Sequence, residues 1–276
     1  MATPAKTRQT RETRQTRETK KTEQRVTRFI DLSQPISQTP PESMLKVDIQ
    51  YLSHEDGTRL HGTFFGLTPD DLPEGKFAAV ENVTLTTHSG THLDAPWHYG
   101  PKSGGKPAKT IDKIPLQWCY GDGVVLDFRY KKAGDEIGVE DVKKALKKIK
   151  YTLKPSDIVL LMTGASKHYG KPNYMNAHPG ATRESTLWLI GQGIKVMGID
   201  AWGWDRPFNV MVDEVKRGIK GRVWAAHYVG KEKEYCHIEN LANLEKIGRP
   251  YGFKVAVFPS QIERAGGAWL RAVAIV

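Results

Sequence analysis

His88-Ser89-Gly90-Thr91-His92-Leu93-Asp94-Ala95-Pro96-Trp97-His98 sets three imidazoles and a carboxylate within eleven residues, at steps of 4, 2 and 4. In an extended chain side chains alternate with a period of two, so even steps send all four groups to one face. Neutral imidazole and carboxylate are the ligands that Zn²⁺, Mn²⁺ and Fe²⁺ accept. A four-residue His–His step also suits a helix, as in H-E-x-x-H, but Ser89 stands where that motif carries its Glu. Gly90, Thr91 and Pro96 oppose a helix as well. Four ligand-type groups on one face serve no packing purpose that apolar residues would not serve better. The stretch reads as a strand end that carries a metal site.

The pattern His-x-Gly-Thr-His-x-Asp-x-Pro-x-His at 88–98 resembles the signature of the cyclase family of metal-dependent hydrolases, which takes in arylformamidases, isatin hydrolases and dienelactone hydrolases. The resemblance implies a metal held by His88, His92 and Asp94. It gives His98 the part of general base or of a further metal ligand. Gly90 is expected to permit a close backbone approach. Thr91 is expected to orient a neighbouring ligand, and Pro96 to end the strand and turn His98 back toward the metal. Far downstream, His227 and Glu239 stand twelve residues apart, as do the His and Glu that complete a second metal position in the formamidases. His237 lies only two residues from Glu239, and the resemblance favours His227 over it. The run Asn240 to Leu244 echoes the stretch that follows that Glu in the family.

Between these clusters, Phe29-Ile-Asp-Leu-Ser33 resembles the family's opening strand, and residues 123–127 and 158–164 resemble later ones. His178-Pro-Gly180 and Gly198-Ile-Asp200 are family-like too. Gly203 departs from the Ser of the family's Asp-x-x-Ser-x-Asp, here Asp200 to Asp205, which bears on the substrate more than on the chemistry. The resemblance covers residues 28–276 and implies an α/β single domain of swivelling β/β/α architecture. The apolar, β-branched runs at 83–87, 124–128, 158–162, 196–199, 255–258 and 270–276 read as strands. Helices are expected at 139–149, with a stripe of Val139, Val142, Ala145, Leu146 and Ile149, and at 182–191. By themselves these patterns give only α/β or α+β.

A chain of 276 residues with 39% hydrophobic and 26% charged residues can bury a full core as one domain. No run approaches the ~18 apolar residues of a membrane span. Cys119 and Cys236 are too far apart in sequence for a zinc ribbon and too few for a disulfide framework, so they read as free thiols in a reducing, cytoplasmic setting. Cys236 and His237, adjacent on a strand, point to opposite faces and make no catalytic pair. Residues 1–27 form a separate basic arm, with Arg8-Gln-Thr-Arg-Glu-Thr13 repeated at 14–19. The arm lacks the apolar content needed to offset the entropy of ordering, and is expected to be disordered. It has no apolar core of a secretory signal and no aromatic residues for stacking on bases, so neither membrane nor nucleic acid is an expected partner.

Competing chemistries fail on spacing. Gly164-Ala-Ser166-Lys-His168 lacks the last Gly of a nucleophile elbow, and Gly191-Gln-Gly193-Ile-Lys-Val196 lacks that of a dinucleotide fingerprint. The expected activity is hydrolysis of an amide or lactone bond in a small aryl or cyclic substrate by metal-activated water. One or two divalent ions per chain, zinc or manganese, are expected, in a homodimer or higher homo-oligomer. Trp97, Trp202 and Trp204 are candidates to stack on the substrate. The alternatives are a lactonase or ring-closing cyclase on the same site, or a binding protein with a closed structural metal and a basic arm that contacts nucleic acid.

Overall fold

The β-branched runs pair into one nine-stranded sheet in a computed structural model that describes residues 26–40 and 43–276. The expected basic arm lies outside the described residues, apart from its last two. In chain order the strands are β1 (Phe29–Asp31), β2 (His92–Asp94), β3 (Tyr120–Asp127), β4 (Ile158–Met162), β5 (Val196–Ile199), β6 (Cys236–Glu239), β7 (Phe253–Ala256), β8 (Gly267–Trp269) and β9 (Val273–Ile275). Their order across the sheet is β1-β9-β7-β3-β4-β5-β6-β2-β8. The four central strands β3, β4, β5 and β6 run parallel. Such strands are buried on both faces, which is why β3, β4 and β5 contain continuous apolar runs. Antiparallel pairs flank them on either side.

The sheet curls. Strands β8 and β9 are separated by only three residues, yet one pairs at one end of the sheet and the other near the opposite end. Of the strand expected at 270–276 only Val273–Ile275 forms, residues 270–272 carry the chain between the sheet ends, and β8 before them was not expected. Ser33, just past β1, bridges to Leu241, just past β6. Inside the curl lie Val125, Ile158, Leu160, Val196, Cys236, Ile238 and Leu93. Outside, Val124, Leu126, Val159, Leu161, Met197 and Ile199 pack under helices α1 (Val139–Ile149) and α2 (Arg183–Gly191). Helix α1 buries Val142 and Leu146 and ends on Lys150 in the left-handed region. Thr182 caps α2, its Oγ1 accepting the Ser185 backbone N–H at 3.1 Å. A third helix, α3 (Phe208–Lys216), was not foreseen. A separate two-stranded antiparallel sheet pairs Asp48–Leu52 with Val80–Thr84, and takes up part of the strand expected at 83–87. Among the described residues no helix is long and apolar enough to cross a membrane.

Candidate metal centre

The antiparallel register of β2 and β6 builds the floor of the site. His237 stands opposite Asp94, and Glu239 opposite His92, with Ile238 and Leu93 between them. Leu93, Cys236 and Ile238 turn into the curl, so the four polar side chains share the other face. Cys236 and His237 accordingly point apart, as expected. The extended reading of 88–98 holds only for 92–94. His88 comes from a turn, with Gly90 at φ 64°, and His98 from a helical turn, Pro96–Tyr99, in which proline occupies the first position. The four side chains still converge, but by a turn, a strand and a helical turn rather than by one strand. Gly267 of β8 stands opposite Asp94 of β2, and a Cβ there would sit 2.8 Å from His88 Cε1, so the His88 ring needs that glycine.

Asp94 is the hub. Its Oδ1 lies 2.8 Å from His88 Nδ1 and 3.3 Å from His92 Nε2. Its Oδ2 lies 3.1 Å from His237 Nε2, 3.6 Å from His98 Nε2 and 3.8 Å from His227 Nε2. Glu239 Oε1 is 3.2 Å from His237 Nε2 and 3.5 Å from His227 Nε2. The far ring nitrogens are committed elsewhere. His227 Nδ1 donates to Asp205 Oδ2 at 2.6 Å, and His92 Nδ1 to the Gly90 carbonyl at 2.9 Å. His237 Nδ1 sits 3.0 Å from the Tyr99 hydroxyl and 3.3 Å from that of Tyr235. These partners fix the tautomers, so that imidazole Nε2 lone pairs face carboxylate oxygens.

Lone pairs facing lone pairs in a buried site demand a cation. Both Asp94 oxygens and His92 Nε2 are buried without a hydrogen-bond partner. An uncompensated buried carboxylate costs several kcal/mol. Burial alone would raise the Asp94 carboxyl, but His98, His237, His88 and His92 outweigh it and hold it well below its ordinary value. Without a metal ion a proton takes that place on His237: burial opposes the charge, yet Asp94 and Glu239 push the ring up to about 9. The donor set fits a divalent ion in two groups, His88 with His92 and Asp94, and Asp94 with His227, His237 and Glu239. His98 differs. Burial, helped by His88 and His227 against Asp94, holds it down at about 4, which leaves the ring neutral at pH 7.

A cavity of about 360 Å³ opens over the cluster, lined by His88, Asp94, His98, His227 and Glu239 on one side. Its apolar walls are Met44, Leu45, Trp202, Phe208, Met211 and Trp224. Of the three candidate tryptophans, Trp202 lines it. Trp97 is 45% exposed and outside the lining, and Trp204 is wholly buried, stacked at 5.6 Å on His237 with its Nε1 donating to Thr186. Trp224 takes the place expected of them, with its ring 4.7 Å from His227 and parallel within 7°. A Cβ at Gly203 would meet nothing closer than 3.9 Å, so the departure from Ser leaves room beside Glu239. Thr91 does not touch a ligand. Its hydroxyl donates to the Asn240 carbonyl at 2.6 Å and ties the His88–His92 turn to the end of β6.

The resemblance set His237 aside in favour of His227, and it gave no role to Asp205 or Trp224. The parity of 237 and 239 on one strand was the available signal for the first. Asp205 accepts the backbone N–H groups of Ala226 and His227 as well as the His227 ring, so it seats that ligand twice. Asp200, its partner in the motif, ties β4 to β5 by accepting from Thr163 and Gly164.

A curled sheet that presents this donor set beneath a cavity defines a metal-dependent hydrolase. The Cyclase family model matches residues 30–206, and the chain belongs to that family. It is 26% identical to isatin hydrolase of Roseibium aggregatum over 254 residues, which cover 88% of this chain and 87% of that one. It is 22% identical to kynurenine formamidase of Bacillus cytotoxicus over 180 residues, 64% of this chain and 69% of the other. The fold matches that of an isatin hydrolase solved with the product analogue thioisatinate, at a TM-score of 0.68 and 22% identity over 91% and 92% of the two chains. Isatin hydrolase A from Ralstonia solanacearum matches at a TM-score of 0.70 and 21% identity, over 91% of this chain and 92% of that one.

Proposed function

We propose that this chain hydrolyses the amide or lactone bond of a small, largely apolar aryl or cyclic substrate, and that His88, His92 and Asp94 hold the divalent ion that makes this possible. The observation that carries the reading is Asp94, buried with both oxygens unpartnered among imidazole nitrogens, at the base of an aromatic-walled cavity. When bound, the ion lowers the pKa of water toward neutrality and polarises the carbonyl. The residues do the rest. Trp202, Phe208 and Trp224 clamp the ring of the substrate and exclude bulk water. His98, neutral and 21% exposed on the cavity side, takes the proton released by the attacking water and returns it to the leaving nitrogen or oxygen. His227 and Glu239, with Asp94, would hold a second ion.

Neither thiol competes as nucleophile, since burial pushes Cys119 up to about 11 and Cys236 well above its ordinary value. The two free, buried cysteines support a reducing, cytoplasmic setting. Zinc or manganese is the ion we assign, and a homodimer the assembly. The similarity to isatin hydrolase and kynurenine formamidase supports an aryl amide or lactam as substrate. Metal-loaded protein should turn over an isatin-like lactam or N-formylkynurenine in a panel that also contains dienelactones. Turnover of the lactone alone would move the substrate class, and turnover of none would contradict the reading.

A further inference from the structure

His237 is the one imidazole of the cluster that neither the motif at 88–98 nor the twelve-residue spacing requires, and it is the most deeply buried. We propose that His237 Nε2 is a metal ligand, which makes Asp94, His227, His237 and Glu239 a closed four-ligand inner position behind an open outer one of His88, His92 and Asp94. The inference rests on the metal-dependent reading above and says how the two positions divide the work.

Four donor atoms around a tetrahedral ion at about 2.0–2.1 Å stand about 3.3 Å apart. The inner set has His237 Nε2 at 3.1 Å from Asp94 Oδ2 and 3.2 Å from Glu239 Oε1, with His227 Nε2 at 3.8 and 3.5 Å from the same oxygens. These separations bracket that edge length. The His237 ring cannot turn away. It is stacked between Tyr99 at 5.4 Å and Trp204 at 5.6 Å. Its Nδ1 faces the hydroxyls of Tyr99 and Tyr235, whose own protons go to the carbonyls of Asp94 and Ala226. Each hydroxyl is left to accept, so Nδ1 carries the hydrogen and the Nε2 lone pair is aimed between two carboxylates. Only a proton or a metal ion can occupy that point.

The two positions differ in access. All four inner residues are buried, whereas His88 in the outer group is 23% exposed toward the cavity. Closed four-ligand sites keep their ion and serve structure, and three-ligand sites leave a place for water and substrate. Asp94 serves both, with Oδ1 facing His88 and His92 and Oδ2 facing His237 and His227. The inner ion would thus fix the carboxylate on which the outer, exchanging ion rests.

The test counts metal in full-length protein loaded with Zn²⁺ and then dialysed against a mild chelator. Two ions per chain are expected, one leaving together with activity and one staying until the protein unfolds. His237→Asn, whose side chain is too short to reach, should hold one ion and surrender it completely. Anomalous diffraction from the zinc-loaded wild type decides the matter even if that variant does not fold. It should show an inner peak at about 2.0–2.1 Å from His237 Nε2. A single peak at the outer group, or an inner peak without His237 in its shell, overturns this inference and leaves the proposed function standing. So does a folded His237→Asn that keeps both ions. A wild type that takes up no metal overturns both.

Discussion

At the scale of single residues the site turns on which nitrogen of each histidine is free. His92 is 2% exposed and spends Nδ1 on a backbone carbonyl, so its Nε2 has no partner in the protein other than an ion. His92→Ala should therefore lose the outer metal and fall to background turnover. Metal analysis beside an activity assay checks this, and full occupancy in the variant would remove His92 from the ligand set. His98→Ala should keep its metal and lose roughly 10²–10⁴ in rate, the range for a lost general base. Loss of an ion in that variant would make His98 a ligand. Asp205→Asn weakens the orientation of His227 and should cost roughly 10–100-fold in metal affinity, read by competition with a chromogenic chelator. The sequence showed His88, His92, Asp94 and His98 because ligand types crowded at even steps have no packing use. His237 was set aside for His227 because the twelve-residue spacing favoured the latter, and only the register of β6 on β2 sets it opposite Asp94 beside His227. Trp204 was expected at the substrate and Trp224 was not named for a similar reason, since indoles in a core and in a cavity have the same sequence signature.

At the scale of elements, apolar runs of four or five residues such as 158–162 and 196–199 were legible and short mixed ones were not. Strand β6 offers only Cys-His-Ile-Glu, and α3 carries Val210, Val212 and Val215, which lower helix propensity. Helix α3 matters because Phe208 and Met211 form one cavity wall, and Glu214 pins it through two bonds to Arg206, at 2.6 and 2.9 Å. Arg206 and its neighbours hold the Glu214 carboxyl below its ordinary 4.5. A depressed folded pKa adds stability that is present above the unfolded value and lost as pH falls through the folded one. Glu214→Gln should cost about 2 kcal/mol at pH 7, the worth of charge-assisted hydrogen bonds. The gap between variant and wild type should close below about pH 4.5 in urea titrations. A gap that is constant with pH would show that packing, not charge, holds α3.

At the scale of the whole molecule, the sheet closes through Phe29–Asp31, Ser33 and the C-terminal segment. Removal of residues 1–27 should leave turnover and melting temperature unchanged, while a cut beyond Ser33 should unfold the protein. Loss of turnover in the shorter truncation would give the basic arm a part in the function. The curl itself was not readable from strand positions, because nothing in 267–276 announces that its two halves pair at different ends of the sheet.

The central claim is that the Asp94 cluster acts through a metal ion, and exhaustive chelation followed by reconstitution tests it most directly. Turnover should fall in proportion to the ion removed from the outer position and return on adding Zn²⁺ or Mn²⁺, to a different extent for each. It should also resist thiol alkylation throughout, since both cysteines are buried. Full turnover by protein shown to contain no metal would contradict the account.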